Sequence, residues 1–348
     1  MRRITRIATV GIASAALALS ATACGSKTSS EVGSEDGAKA AIAYDIGGRG
    51  DQSFNDAAYA GLAKAEKELG VKGTEAEPSE GEADPDKVQR LTSLARAGNN
   101  PVIGVGFAYA PAIAEVAPKF PDTTFGLIDD TSKTGENIAN LVFNEEQGSY
   151  LAGVAAAKVT KSDTVGFIGG VETPLIKKFE AGYVQGVTDT NPDVKVKVQY
   201  LTQPPDFGGF SKPDLGKAAA QGQLDAGADV IYAAAGLAGS GSIEAAAKAG
   251  KWAIGVDSDQ YNQQGLAAYK DHILTSVTKD VSDAVFNLIK SVEDGEPQSG
   301  EIRYGLDKDG VGLATSNPAF TEMTDVTAAV DKAKADIIAG KIEVKSAP

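Results

Sequence analysis

Cysteine and histidine are almost missing from this 348-residue chain, which holds one of each. A single Cys excludes a disulfide framework, and with a single His it also excludes a Cys/His zinc site or any centre needing several imidazoles. Catalysis, were there any, would have to run on carboxylates, Lys, Ser or Tyr. Basic residues are short as well, 33 against 47 acidic for a net charge of −14. That is the wrong sign for gripping nucleic acid through its phosphates. Neither G-x-x-x-x-G-K-[ST] nor G-x-G-x-x-G occurs among the forty glycines, so nucleoside triphosphates and NAD are not expected, and no metal or cofactor is expected. What is plentiful is apolar residue, 42% of the chain. At this length, that suffices for the cores of two ordinary domains.

Arg2, Arg3 and Arg6 precede an uncharged, Ala- and Leu-rich stretch from Ile7 to Ala23 that ends in small residues. This is the layout of a secretory signal, and its Ala- and Ser-rich core is barely long enough to span a bilayer. The only cysteine, Cys24, follows Ala21-Thr22-Ala23, and this resembles the lipobox of bacterial lipoproteins, with Ala21 where Leu is usual. The expectation is a signal peptide over 1–23, lipid on Cys24 and a protein held at the extracytoplasmic face of the cell membrane. Cleavage there removes three Arg and no acid, taking the net charge from −14 to −17. Residues 24–37 carry no large apolar side chain beyond Val32 and read as a flexible tether.

From Ala38 onward, short apolar runs alternate with helix-like stretches. Strands are predicted at Ala40–Tyr44, Pro101–Phe107, Phe125–Ile128, Leu141–Phe143, Thr164–Ile168, Val196–Leu201, Val230–Ala234, Trp252–Val256 and Ile273–Val277. Between them, helical periodicity marks Phe54–Leu69, Asp86–Ala97, Glu146–Lys158, Pro174–Val187, Asp214–Asp225, Ser242–Ala249 and Ser282–Val292. This is the βα alternation of parallel sheets covered on both faces, and two doubly wound α/β lobes suit the length better than one overfilled sheet. No fixed-period sequence repeat is visible. In such folds the ligand crevice forms from loops at the carboxyl ends of strands, so Asp45-Ile46-Gly47-Gly48, Gly106-Phe107, Asp129-Asp130, Gly169-Gly170, Ala235-Gly236 and Asp257-Ser258-Asp259 are the loops of interest.

Asp45, Asp129 and Asp257 each end an apolar strand, where a carboxylate can accept the two hydroxyls of a sugar diol, although Asp is also a common turn residue. Ser53, with Asp56 three residues on, reads as a variant capping box for the helix at Phe54. Phe54 itself is either a platform for a flat ligand or a core filler. Lys279 stands just before a helix, where the dipole disfavours a cation, and reads as solvated or as a ligand donor. His272 reads as a surface residue.

Together these segments resemble the basic membrane protein family. The resemblance rests on Asp45-Ile46-Gly47-Gly48 with Asp51-x-Ser53-Phe54-Asn55, on Phe125-Gly-Leu-Ile-Asp129, and on Phe179-x-x-Gly182-Tyr183. It continues in Ala234-Ala235-Gly236, Gly255-Val256-Asp257-Ser258-Asp259-Gln260 and Thr275-Ser276-Val277-x-Lys279. It covers about 40–344, with Leu237 to Gly241 replacing the family's Gly-Thr-Gly after Gly236. Members similar to the purine-nucleoside receptor are lipoproteins that deliver nucleosides to ABC importers. The resemblance implies a type I periplasmic binding protein, two doubly wound lobes joined by three crossing strands, with lobes of 38–142 plus 277–298 and 143–276 plus 299–348. Crossings are expected near Asn140–Glu145, Thr275–Val277 and Gln298–Ile302. It further implies a monomer in which Phe54 stacks on a base. Asp129 and Asn55 would read polar edges, Asp257 and Lys279 would hold ribose hydroxyls, and Asp45 would support the pocket floor or the base. Ser53 and Gly236 would belong to the same ligand site. Phe179 is the candidate for the second ring, with Phe207 and Phe210 as alternatives. Two other functions remain open at this stage: a receptor for a ribose-type sugar, and a nucleoside hydrolase using Asp129-Asp130 and Asp257-Ser258-Asp259 to hold Ca²⁺ and activate water.

Overall fold

A computed structural model describes residues 37–79 and 81–348; the signal, Cys24 and tether expectations fall outside the described residues. The first run of elements is β1 (Lys39–Ala43), α1 (Phe54–Leu69), β2 (Lys72–Ala76), α2 (Asp84–Arg96), β3 (Val102–Gly104), α3 (Ala110–Val116), β4 (Phe125–Ile128) and β5 (Ile138–Phe143). The second is α4 (Glu145–Val159), β6 (Thr164–Val171), α5 (Pro174–Thr190), β7 (Lys195–Thr202), α6 (Pro213–Asp225), β8 (Val230–Ala234), α7 (Ala238–Lys248), β9 (Trp252–Asp257) and β10 (Ile273–Lys279). The chain ends with α8 (Val281–Glu293), β11 (Gly300–Tyr304), β12 (Val311–Leu313), α9 (Pro318–Thr321) and α10 (Thr324–Ile338).

Two six-stranded sheets result, ordered β11-β5-β4-β3-β1-β2 and β12-β10-β9-β8-β6-β7. Each described strand pair is parallel except β10 with β12. The inner strands are apolar on both faces, as sheets covered by helices on two sides require; β1, β4 and β5 carry Ile42, Phe125, Leu127, Ile128, Leu141 and Phe143, all fully buried. The sheets are topological copies. β1 to β5 and β6 to β10 follow the same winding, outward to an edge strand and back across the middle, although no sequence repeat betrays it.

The chain passes between lobes after Phe143, after Lys279 and after Tyr304. The first passage lies where expected and the other two come a few residues late. The lobe boundaries are corrected accordingly: Gly300–Tyr304 pairs with β5 in the first sheet, and Val277–Lys279 belongs to β10 in the second. The unpredicted strands β2, β11 and β12 are edges or nearly so, and their sequences KGTEA, GEIRY and VGL carry no long apolar run because one face and one ladder meet solvent.

Glycine sets the packing of α5 on α4. A Cβ at Gly182 would lie 2.0 Å from the Glu146 carbonyl oxygen, and one at Gly186 would lie 2.1 Å from that of Tyr150. The two backbones therefore touch along the second half of α5.

Candidate functional site

Between the lobes, at the carboxyl ends of both sheets, lies a cleft of roughly 580 Å³, its open mouth included. Asp45, Phe54, Asn55, Asp129, Phe179, Gly236, Asp257 and Lys279 line it, so the strand-end reading brings these residues together. Ser53 is the exception. It is fully buried and does not line the cleft.

The corner at the start of α1 explains why. Asp51, not Ser53, caps the helix: its two carboxylate oxygens accept from the backbone N–H groups of Ser53, Asn55 and Asp56 at 2.8 to 3.1 Å. Asp56 turns back to accept from Gly50 N and Gln52 N. The capping-box reading of Ser53 is therefore corrected. Its hydroxyl is free to cross to the other lobe, where it donates to Asp257 Oδ2 at 2.6 Å. Ser258 Oγ donates to the Ser53 carbonyl and Gln260 Nε2 to the Gln52 carbonyl, tying the same corner to the loop after β9. Asn55 Oδ1 accepts from Asp45 N at 3.1 Å, which joins the helix start to the end of β1.

Asp129 directly follows β4 and Asp257 ends β9, so the two carboxylates occupy corresponding positions of the two copied sheets. Both have left-handed backbones, with φ of 69° and 63°. Asp tolerates this conformation at some cost. It re-aims each carboxylate from the sheet into the cleft. Lys279 ends β10 between them and is nearly inaccessible, which removes the solvated reading. Its Nζ lies 2.6 Å from Asp129 Oδ2 and 3.3 Å from Glu145 Oε1. Three rings surround the ammonium, with the centroids of Phe54 and Phe143 at 5.0 Å and that of Phe179 at 5.8 Å. Asp280, the natural occupant of the helix start, caps α8 by accepting from Asp283 N.

Acid outnumbers base in this low-dielectric space. Burial pushes Asp257 up to about 6, against the pull of Lys279 and the Ser53 hydrogen bond. Burial likewise lifts Asp129 to about 6, opposed by Lys279 and assisted by Glu145. Asp45, whose carboxylate accepts the Ile46 N–H, is pushed up by burial to about 7. For Lys279, burial works against the charge, but Asp129, Glu145 and Asp257 outweigh it and hold the ammonium on. Asp129 Oδ1 is buried without a hydrogen-bond partner among the described residues. An ionised carboxylate so placed is an acceptor waiting for a donor.

Phe54 is half-buried and lines the cleft, whereas Phe179 is buried and backs onto Lys279. Phe210 also lines the cleft, with a ring edge that a Cβ at Gly170 would meet at 2.5 Å. Phe207 does not line it but packs on Phe107, centroids 5.9 Å apart, in a contact between lobes. Sequence reasoning missed Leu175 and Ile176, in the first turn of α5, which line the cleft and carry no signal beyond being apolar, and Glu145, which does not line it but stands 3.3 Å from Lys279, far away in sequence. Asp130 and Asp259 are turned to partners of their own, Ser132 and Ser316, so the two aspartate pairs do not converge. Among the described residues no group of three or more His, Cys, Asp or Glu is placed to hold a metal ion.

The family described as ABC transporter substrate-binding protein, PnrA-like, matches residues 38–347. The ABC transporter nucleoside-binding protein BmpA of Lactococcus lactis is 36% identical over 325 residues, 88% of this chain and 89% of that one. An uncharacterized lipoprotein of Pyrococcus abyssi is 35% identical over 296 residues, 79% of this chain and 68% of its own. Among solved structures, an ABC transporter solute-binding protein of Aeropyrum pernix superposes with a TM-score of 0.77 at 28% identity, over 89% of this chain and 93% of that one.

Proposed function

The chain belongs to the PnrA-like ABC transporter substrate-binding family, and from that footing we propose that it is an extracytoplasmic receptor that closes two lobes over a nucleoside, preferentially a purine nucleoside, and presents it to an ABC permease. The observation that carries this reading is one cleft in which Phe54 from the first lobe and Phe210 from the second share the lining with Asp129, Asp257 and Lys279. A base between two rings gains roughly 1–3 kcal/mol from stacking. A ribose diol suits the free oxygen of Asp257, and base N–H groups suit the unpartnered Oδ1 of Asp129 and the carboxyl of Asp45. Phe179 then serves as a wall behind Lys279 instead of the second stacking ring. Contacts from both lobes favour the closed state, and no bond is broken.

No helix among the described residues is long and apolar enough to cross a membrane. Membrane attachment is assigned to lipid on Cys24 after loss of 1–23, as the lipobox-like ending of that segment indicates; one acyl chain holds weakly and two or more hold firmly. The receptor works as a monomer. A ribose-type sugar is the second reading, favoured by the diol-binding geometry of Asp257 but leaving Phe210 without a role.

Mass spectrometry of the natively purified 24–348 protein should find a retained nucleoside, and calorimetry should show inosine binding far more tightly than ribose. Inosine should be recovered intact. Tight ribose binding with no inosine binding would overturn the nucleoside reading, and release of hypoxanthine would overturn the receptor reading.

A further inference from the structure

Lys279 is the cation at the centre of the cleft, yet its placement is shared with a residue that does not line the cleft. Glu145 opens α4, immediately after the chain first passes between the lobes, and its side chain is 1% exposed. One oxygen stands 3.3 Å from Lys279 Nζ, and the other accepts from Lys178 Nζ of α5 at 3.0 Å. The other two passages converge here. Asn144 N donates to the Tyr304 carbonyl and Asn144 Oδ1 accepts from Arg303. Leu306 N donates to Gln147 Oε1, and Asp280 N to the Gly310 carbonyl. The hinge strands thus meet around the start of α4, where the Glu145 carboxylate faces the ligand-facing ammonium.

We propose that Glu145 is a positioning residue for the cleft: from the first passage it faces the Lys279 ammonium as a second counter-charge, at ion-pair distance and without a hydrogen bond to that oxygen, so that the cation is held between two carboxylates and Asp129 keeps an acceptor oxygen for the ligand. Without Glu145, the ammonium would keep Asp129 and the more distant Asp257 as its counter-charges. A buried cation needs its full set of counter-charges, and here one lies on β4 and another on the hinge. The charged groups facing Lys279 are Asp129 on β4, Glu145 on α4 and Asp257 on β9, with Lys178 on α5 behind Glu145. Phe54, Phe143 and Phe179 fill the rest of its surroundings. Glu145 raises the Asp129 carboxyl, while Lys279 and Lys178 lower it. Removing either outer member therefore moves Asp129 in opposite directions.

The test is the pair Glu145→Gln and Lys178→Gln, both near-isosteric. In ligand-free protein, carbon-13 NMR of the Asp129 carboxyl, assigned through Asp129→Asn, reads the cluster without any cargo. Its titration should move down in Glu145→Gln, by about half a pH unit or more, and up in Lys178→Gln. Inosine affinity against pH is the second readout and rests on the nucleoside reading. Its acid limb should shift in the same two directions, and Glu145→Gln should bind several-fold more weakly at pH 7.5. Unmoved Asp129 titrations in two folded variants would overturn the proposal. So would weakened binding with an unshifted acid limb, the mark of a packing defect. If the wild type binds no inosine, the nucleoside reading fails and the NMR titration alone decides this one.

Discussion

Lowering the pH should loosen the ligand while tightening the fold. The perturbation is a titration from pH 7.5 to 5, across the raised values of the cleft carboxyls. Asp129 and Asp257 titrate at about 6 in the free protein. Ligand hydroxyl or N–H donors prefer the ionised acceptor by charge-assisted hydrogen bonds, and a neutral acid loses that advantage. At pH 5, only about one in ten groups titrating near 6 remains ionised, so affinity falls up to about tenfold for each carboxylate the ligand uses, and about a hundredfold for two. Asp45 titrates at about 7. A fall that already begins near 7 would place Asp45, ionised, on the ligand as well. Stability of the free protein has the opposite sign. These native carboxyls hold protons that the unfolded chain, with ordinary carboxyls near 4, has already released. Each costs up to about 1.4 kcal/mol of stability per pH unit as pH rises, between about 4 and 6 for Asp129 and Asp257 and between about 4 and 7 for Asp45. Calorimetric titration with inosine and thermal unfolding without it, both over this range, make the check. Affinity that stays flat to pH 5, or a ligand-free Tm that rises from pH 5 to 7.5, would refute the placement of these carboxylates as buried acceptors.

Phe54→Ala should weaken all nucleosides alike by about 1–3 kcal/mol, since stacking is indifferent to the base edge; wild-type calorimetry would remove Phe54 from the site. Asp257→Asn should cost inosine on the order of 1.5–3 kcal/mol and 2′,3′-dideoxyinosine clearly less, and equal losses would end the ribose assignment. Gly186→Ala forces a methyl to within 2.1 Å of the Tyr150 carbonyl oxygen. Chemical unfolding should show a loss of about 1–3 kcal/mol, and unchanged stability would mean that α4 and α5 are free to part. Cys24→Ala in the precursor should abolish palmitate labelling, and persistent label would place the lipid elsewhere.

Whatever was buried on both faces could be read in advance. β4, β8, β9 and β1 from Ala40 on are apolar runs followed by or ending in acids or glycines, and those ends do line the cleft. What escaped depended on partners far away in sequence. Ser53 looked like a cap because the hydroxyl, the acid three residues on and the helix were all local, whereas its true partner is 204 residues away. Lys279 looked solvated because Asp129 and Glu145, its neighbours in space, lie far earlier in the chain, Asp129 in the other lobe. The edges β2, β11 and β12 lacked a pattern for the simple reason that solvent demands none.

The exchange of segments between lobes also sets an order of assembly. α1, at the heart of the first lobe, presents Gly61 to the backbone of Ser282 and the side chain of Val285 in α8, and β5 takes β11 as its neighbour. Neither α8 nor β11 exists until the whole second sheet but β12 has been made. A nascent chain carrying only residues up to Phe143 has a five-stranded sheet with an open edge and one apolar helix face uncovered, so its native state is beyond reach until some 160 further residues, ending at Tyr304, arrive. The chain thus stays incompletely folded for most of its synthesis, a delay that suits the passage through a membrane proposed for it.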